Sequence, residues 1–223
     1  MLVYKNLTII GTSHIAIESI KEVTSFIKEK KPSIIALELD KPRFFSLMQQ
    51  KKGSKFSLLK EMGIKVFLLN LIGAWIEKKL GKLVGVSPGS EMRKAALLAK
   101  KQNAKIMLID QDARITIKKL TLIPAKEKYR IFLDILKSRF KKDEKIKIDL
   151  RKVPEKEFIK TILKKIEERY PTVYKVLIKE RNDVMAKNLY KLITQFPEER
   201  VVAIVGAGHE EELVHDIKKY EKN

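Results

Sequence analysis

Four short apolar runs constrain the fold of this chain more than any other feature of its 223 residues. Each run is rich in aliphatic side chains and is followed directly by a glycine or a carboxylate; the runs cover residues 7–10, 34–37, 105–109 and 201–205. Between them, apolar residues recur at helical spacing, as they do over residues 17–27. Strands that alternate with helices favour a parallel sheet with right-handed crossovers. The sequence therefore predicts an α/β fold with a mostly parallel central sheet flanked by helices.

Two longer stretches between these strands predict helical insertions within a single domain of residues 1–223. The first insertion covers about 53–85 and is rich in apolar side chains. The second covers about 116–196, where prolines at positions 124, 154 and 171 break the sequence into separate helices. The Lys-rich part of the second insertion, residues 141–152, is expected to be its most loop-like part.

The composition excludes several classes of chemistry. With no cysteine and only three histidines, the chain has no disulfide, no cysteine-based zinc site and no cysteine nucleophile. Its 48 Lys and Arg against 28 Asp and Glu give a net charge of +20, yet residues 198–223 hold four basic and seven acidic side chains. We interpret the excess lysines as a solvated surface, with an anionic membrane or nucleic acid as alternative partners. No RNA-recognition, zinc-finger or phosphate-loop motif accompanies the charge, so we expect no specific nucleic acid partner.

The apolar segments do not have the length of a targeting or membrane segment. The N-terminus is too polar for a secretory signal, and the longest uncharged apolar stretch, residues 66–76, is far shorter than the roughly 20 residues that span a bilayer. We expect a cytoplasmic protein, either naturally short or the soluble part of a membrane-associated one. The abundance of Lys and Glu is also typical of heat-adapted proteins.

Two of the three histidines occur in the same local setting. The first strand leads into Gly-Thr-Ser-His, ending at His14, and the last strand leads into Gly-Ala-Gly-His, ending at His209. Because the carboxyl ends of parallel strands meet at one edge of a sheet, the two imidazoles are predicted to be neighbours. Glu38, Asp110 and Asp112 follow the other two strands and reach the same edge.

Two imidazoles and a carboxylate predict a divalent metal site formed by His14, His209 and Glu38, suited to manganese, iron, cobalt or zinc. Such a metal lowers the pKa of bound water and polarises a carbonyl, which is the chemistry of hydrolysis. A single Gly-x-x-His string is common, so the prediction depends on its repetition after two strands. The third histidine, His215, lies in an acidic helix and is interpreted as a surface residue.

Five separated motifs resemble the TraB family, which includes pheromone-shutdown, PrgY and GumN-type proteins. They are Gly-Thr-Ser-His at 11–14, the strand at 34–40 that leads to Arg43, Pro-Gly-Ser-Glu-Met at 88–92, Glu-Arg-Asn at 180–182 and Gly-Ala-Gly-His at 206–209. The motifs follow the family order and cover nearly the whole chain. The resemblance implies the α/β fold that this family shares with TIKI proteases, ChaN haem-binding lipoproteins and erythromycin esterases.

The resemblance also implies roles for particular residues. TIKI members are divalent-metal-dependent proteases, and pheromone-shutdown members act against a secreted peptide. His14 and His209 correspond to the paired motif histidines, Glu38 to the acidic site residue and Arg181 to the basic one, which would stabilise an oxyanion or bind a substrate carboxylate. Arg181 could instead form a surface ion pair with a neighbour on its own helix, Glu180 or Asp183.

Six further residues are candidates for substrate binding: Arg43, Ser90, Asp110, Asp112, Glu180 and Asn182. Arg43 could orient Glu38 or neutralise local charge, and Ser90 could instead cap the helix that it begins. The leading hypothesis is a metal-dependent hydrolase that cleaves a peptide or another small carbonyl substrate. The alternatives are a non-catalytic protein that binds a peptide or haem, and a basic module that associates with an anionic membrane or nucleic acid.

Overall fold

The computed structural model of the protein describes residues 1–12, 17–49, 89–140 and 156–221. Five strands form a mixed, mostly parallel sheet that is flanked by helices, which confirms the predicted α/β class. In chain order the elements are β1 (Leu2–Tyr4), β2 (Leu7–Thr12), α1 (Ile17–Lys30), β3 (Ile34–Leu37), α2 (Lys41–Gln49), α3 (Ser90–Lys101), β4 (Lys105–Leu108), α4 (Ala113–Thr121), α5 (Ala125–Phe140), α6 (Lys156–Arg169), α7 (Pro171–Tyr174), a π-helical segment (Lys175–Lys179), α8 (Glu180–Gln195), β5 (Val201–Gly206) and α9 (Glu210–Glu221).

The strand order is β1-β2-β5-β3-β4, so the last strand of the chain lies at the centre of the sheet. β5 pairs in parallel with β2 on one side and with β3 on the other, and β3 pairs in parallel with β4. The N-terminal β1 is antiparallel to β2. The sequence did not predict β1, because its run of three residues is too short to indicate a strand by itself, and its backbone partners come from β2.

The core consists of two layers, one on each face of the sheet. All six residues of β5 are buried, as expected for a central strand covered on both faces. Helices α8 and α9 pack on one face, where Met185 and Leu189 of α8 and Leu213 of α9 are fully buried. Helices α1 and α3 pack on the other face through residues such as Val23. These layers hold the carboxyl ends of four parallel strands at one edge.

The described part of residues 116–196 is helical, and its helices break near Pro124 and Pro171 as predicted. Pro171 begins α7, a position where its missing N–H costs no helical hydrogen bond. The predicted insertion at 53–85, the apolar stretch at 66–76, the break near Pro154 and the loop-like part at 141–152 lie outside the described residues.

The expected serine cap of α3 is wrong. The residue at the N-cap is Gly89, whose φ of 80° lies in the left-handed region, and no side chain caps this helix end. Glycine adopts that conformation without the steric cost that a Cβ brings, so the chain turns into the helix one residue before Ser90. Among the described helices, none combines the length and apolar character needed to cross a bilayer.

Candidate functional site

Glu38 lies at the centre of the carboxyl edge of the sheet. It is the first residue after β3, and its backbone N–H donates to the carbonyl oxygen of Ile204 at 3.1 Å. Its side chain is 4% exposed, and Oε2 accepts a hydrogen bond from the backbone N–H of Gly206 at 2.6 Å. The neighbouring strand therefore fixes the position of this carboxylate.

The guanidinium of Arg181 connects Glu38 to two other site residues. It donates to Glu38 Oε1, and it binds both oxygens of Asp110, with Nε–Oδ1 at 3.1 Å and Nη2–Oδ2 at 2.7 Å. Its Nη1 lies 3.3 Å from Nε2 of His209. Burial opposes the charged form, but the carboxylates of Glu38 and Asp110 outweigh it and raise the pKa of Arg181 above its ordinary value. Arg181 is thus a site residue whose side chain is only 15% exposed, and its alternative interpretation as a helix-surface ion pair is wrong.

A polar chain fixes the orientation of the His209 ring. Its Nδ1 lies 2.5 Å from Oδ1 of Asn182, whose amide nitrogen donates to Glu212 at 2.7 Å. Tyr174 donates its hydroxyl proton to the other oxygen of Glu212 at 2.9 Å. Because an amide oxygen only accepts, the proton of the His209 ring is assigned to Nδ1. The lone pair of Nε2 then faces Arg181 and Glu38, whose Oε1 lies 3.5 Å away.

Asp110 binds a second arginine besides Arg181. Nη2 of Arg43 donates to Asp110 Oδ2 at 2.6 Å, its Nε donates to Asp40 Oδ2 at 3.1 Å, and 37% of the side chain is exposed. The Asp110 side chain itself is completely buried, and its Oδ1 also accepts the backbone N–H of Gln111. Its oxygens are therefore committed inside the protein, which makes Asp110 a positioning residue for Arg181 rather than a contact for substrate. The link between Arg43 and Glu38 passes through Asp110 and Arg181.

Asp40 is a structural member of this network that sequence reasoning did not single out. Its Oδ1 accepts the backbone N–H of Arg43 at 2.7 Å, and its Oδ2 accepts the backbone N–H of Ala113, also at 2.7 Å. One buried carboxylate thus satisfies free N–H groups at the starts of both α2 and α4. The signal that could have revealed it is an Asp placed directly before a helix.

Several other candidates serve local structure. Asp112 is the N-cap of α4: it accepts the backbone N–H of Arg114 at 2.8 Å and pairs with the guanidinium of the same residue, and these contacts lower its pKa to about 2. Glu180 pairs with Lys119 at 2.7 Å. His215 is exposed on α9, as predicted. The structure therefore brings Glu38, Asp110, Arg181, Asn182, His209 and Arg43 together and gives Asp112 and Glu180 other partners.

The two Gly-x-x-His motifs leave the sheet from adjacent strands. Thr12 of β2 pairs with Gly206 of β5, and the backbone N–H of Ala207 donates to the carbonyl oxygen of Thr12 at 2.8 Å. His14 itself lies outside the described residues, so its position relative to His209 stays a prediction. Gly11 has a steric role at this point, because a Cβ there would lie 2.6 Å from Oε2 of Glu210.

Part of the arrangement suits a metal ion. A ligating histidine usually donates its second ring N–H to an acceptor, as His209 does to Asn182, and Glu38 supplies a carboxylate oxygen nearby. The guanidinium of Arg181 occupies the same space as a competing cation. Over the part of the chain that the structure describes, no three His, Asp or Glu side chains are arranged to hold a metal. A set of three ligands would need a further residue, which is the role that the sequence predicts for His14.

A π-helical segment precedes Arg181. Residues Lys175–Lys179 make the wider turn of a π-helix between α7 and α8, and the Leu177 carbonyl oxygen in this segment accepts from Arg181 Nη1 at 3.3 Å. Such segments inside α-helices are frequent at functional sites.

Comparison with known proteins gives consistent matches over nearly the whole chain. Residues 4–211 match the sequence model of the TraB/PrgY/gumN family. The uncharacterized protein MJ1365 of Methanocaldococcus jannaschii is 42% identical over 96% of this chain and 53% of its own length. The TraB domain-containing proteins of Homo sapiens and Bos taurus are 21% and 20% identical to this chain. Each match covers 90% of this chain, together with 60% of the human protein and 59% of the bovine protein. The chain thus spans little more than half the length of these relatives.

Proposed function

The chain belongs to the TraB/PrgY/gumN family, and from this premise we propose that it is a metal-dependent hydrolase that cleaves a peptide or another carbonyl substrate. The observation that carries the proposal is the His209 ring, which is buried, held by Asn182 and turned with Nε2 towards Glu38 and Arg181. A basic nitrogen, a carboxylate and a permanent cation within hydrogen-bond reach are the groups that hydrolysis of a carbonyl needs.

While no metal occupies Nε2, His209 is the proton-accepting residue in this scheme. With its proton on Nδ1, the ring can accept a proton from an attacking water at Nε2, and the Asn182 oxygen stabilises the ring in that orientation. Glu38, 3.5 Å from Nε2, stabilises the imidazolium that forms. In hydrolytic triads the orienting partner binds Nδ1–H of the histidine, which is the position that Asn182 takes here.

Arg181 supplies positive charge to the substrate oxygen. Its Nη2 is held by Glu38 and Asp110, whereas its Nη1 makes contacts of 3.3 Å with His209 Nε2 and with a backbone carbonyl. A substrate oxygen can therefore replace the weaker Nη1 contact without disturbing the two carboxylate pairs. Developing negative charge at that oxygen would strengthen the bond, as transition-state stabilisation requires.

His14, His209 and Glu38 are the residues that would hold a divalent metal, of which manganese, iron, cobalt and zinc all suit nitrogen and carboxylate donors. With a metal bound, Nε2 of His209 would be a ligand instead of the proton acceptor, because its single lone pair cannot serve both roles. The adjacent exits of the two Gly-x-x-His motifs from β2 and β5 support this set. When bound, the metal would polarise the substrate carbonyl and lower the pKa of water.

Hydrolysis can be tested directly on the purified chain. We expect cleavage of a mixed library of internally quenched peptides after removal of metal with EDTA and addition of manganese, iron, cobalt or zinc. His209→Ala and Glu38→Gln should each reduce cleavage by at least about 100-fold, since each removes a group that acts in proton transfer. His215→Ala is the matched control, because it removes an exposed histidine. Full activity of His209→Ala with an unchanged melting temperature would contradict the proposal.

One observation favours a non-catalytic binding protein as the second candidate. Both oxygens of Glu38 and both oxygens of Asp110 are already bonded within the protein, so the charges of the site are balanced before any substrate arrives. A binding protein would retain peptide or haem in equilibrium dialysis and release it unchanged. Its affinity would not depend on addition of a divalent metal.

A further inference from the structure

An apolar stripe lies exposed on helix α5, after two further exposed apolar side chains on α4 and at its C-cap. The stripe consists of Tyr129, Phe132 and Leu136, and the two others are Ile115 and Leu122; the exposed fractions of the five range from 38% to 71%. The residues at 129, 132 and 136 are three and four positions apart and so lie on one helix face. Large apolar side chains grouped on one exposed helix face are typical of a surface that has a partner.

The acidic side chains of α5 face away from the stripe. Glu127 is 5% exposed, and its Oε1 accepts the backbone N–H of Thr172 at 2.9 Å. Asp134 binds the side chains of Arg169 and Tyr170. Both carboxylates of this helix are thus used to attach α5 to the end of α6 and to the start of α7, and the outer face of α5 keeps no negative charge from them.

Lysines border the stripe on both sides. Lys126 and Lys128 are exposed on α5, next to Tyr129, and Lys118 is exposed on α4. The Nζ of Lys128 donates to the uncharged carbonyl oxygen of Thr121 at 2.8 Å, so its positive charge is not neutralised there. Helix α4 contains three basic residues and no acidic residue. The result is an apolar stripe bordered by positive charge.

We propose that the outer face of α4 and α5 docks onto the surface of a membrane that contains anionic lipids. A helix with exposed aromatic and aliphatic side chains bordered by lysines is the arrangement that lies in the headgroup region with its apolar side in the acyl boundary. Aromatic rings such as those of Tyr129 and Phe132 suit that boundary, and lysines are attracted to anionic headgroups. A purely electrostatic polyanion partner would leave the apolar side chains without a role.

Helix α4 is attached to the carboxyl edge of the sheet by a hydrogen bond and an ion pair. Helix α4 begins directly after Asp112, and the backbone N–H of Ala113 is held by Asp40 of the site network. Lys119 of α4 also pairs with Glu180, the residue before Arg181. Docking through α4 and α5 would therefore bring the charged site towards the bilayer, although the docking proposal does not require hydrolysis.

The test is co-sedimentation of the full chain with vesicles. We expect the protein to sediment with vesicles of phosphatidylcholine containing phosphatidylglycerol at least about tenfold more strongly than with phosphatidylcholine alone, because each lysine near the surface contributes to binding. Raising the salt concentration should weaken the binding through screening. Absence of sedimentation with the anionic vesicles, or equal sedimentation with both kinds, would overturn the proposal.

Paired variants separate the stripe from the rest of the surface. Tyr129→Ser with Phe132→Ser should lower the vesicle affinity at least about tenfold through lost apolar burial, whereas Phe45→Ser, at an equally exposed ring on α2, should leave it unchanged. Lys126→Glu with Lys128→Glu should lower it similarly. Lys21→Glu with Lys28→Glu on α1 is the matched control, since it lowers the net charge by the same amount.

Other occupants of the stripe would give different results. If a second copy of the chain covers it, sedimentation equilibrium will show a dimer that the Tyr129 and Phe132 double variant dissociates, without vesicle binding. If nucleic acid covers it, single-stranded RNA will bind and the lysine variants will reduce that binding, again without vesicle binding. Either result overturns the proposal, as does loss of vesicle binding in both control variants.

Discussion

The carboxylate of Asp110 holds the guanidinium of Arg181 through two hydrogen bonds, from Nε and from Nη2, at a position where no part of the Asp110 side chain reaches solvent. A bidentate pair of this kind fixes the plane of the guanidinium as well as its distance. The direction of Nη1 towards His209 therefore depends on Asp110, a residue whose own side chain is too deeply buried to contact a substrate.

Asp110→Asn should lower the free energy of unfolding by about 3 kcal/mol, because removal of one partner leaves buried guanidinium charge less compensated. The measurement is urea-induced unfolding followed by circular dichroism. Asp112→Asn is the matched control, since that carboxylate lies at a helix end near the surface. Equal losses of unfolding free energy in the two variants would contradict this prediction, because they would show that the buried Asp110 ion pair stabilises the fold no more than the one near the surface.

Asn182→Ala should reduce the share of the His209 ring that carries its proton on Nδ1, since that proton loses its acceptor. Nitrogen-15 chemical shifts of the ring report the tautomer directly, and any hydrolytic kcat should fall by roughly tenfold or more. Asn188→Ala removes an amide from the same helix, where it binds the Ile109 carbonyl oxygen, and serves as the control. An unchanged tautomer in Asn182→Ala would show that this contact does not orient the ring.

Gly11→Ala should destabilise the protein by about 1–3 kcal/mol through overpacking. The new Cβ would lie 2.6 Å from Oε2 and 3.1 Å from Cβ of the buried Glu210, so rotation of the carboxylate alone cannot relieve the clash. Gly208→Ala is the control, because its nearest contact would be an ordinary 3.8 Å from Leu163. Thermal unfolding should show a lower Tm for the first variant and a similar Tm for the second; the reverse order would contradict this packing.

Asp112 should contribute stability that is lost in acid. Its pKa is lowered from 3.8 to about 2, first of all by the hydrogen bond from the Arg114 side chain. A carboxyl with a depressed pKa in the folded state stabilises the fold above its unfolded value and loses that contribution as the pH falls towards 2. The difference in urea midpoint between the wild type and Asp112→Asn should therefore shrink between pH 4 and pH 2. The effect should be modest because the ion pair is exposed to solvent. A constant difference would contradict the assignment.

Four of the five strands, and the residues that follow them at the carboxyl edge of the sheet, could be predicted from the sequence. The runs that became β3 and β5 are continuously apolar because strands buried on both faces need no alternation. The glycine or carboxylate after each of the four runs marks the place where the chain leaves the sheet. The placement of Glu38 and His209 near each other follows from parallel pairing. The membership of Arg181 in this site came from its resemblance to the family signature.

What the sequence could not predict depends on three-dimensional side-chain geometry. Asp40 looks like an ordinary polar residue until α2 and α4 are seen to begin beside it. Asp110 and Asp112 are the same residue type and only two positions apart. Asp110 nevertheless binds Arg181 at the edge of the sheet, whereas Asp112 caps a helix. The strand β1 needs the partner strand β2 to exist at all, so its three residues carry no sufficient local signal.

The π-helical segment Lys175–Lys179 has a consequence for the helix that contains it. In a regular α-helix, the position seven residues before the buried Asn182 lies on the same face, so residue 175 should be buried. In the structure Lys175 is exposed and Tyr174 is buried instead. The wider turn of the segment thus moves the buried face of the helix by one residue position. It allows Tyr174 of α7 and Asn182 of α8, which lie on either side of the segment, both to reach Glu212. Deleting one residue of the segment would leave a continuous α-helix that turns one of these two side chains away from Glu212.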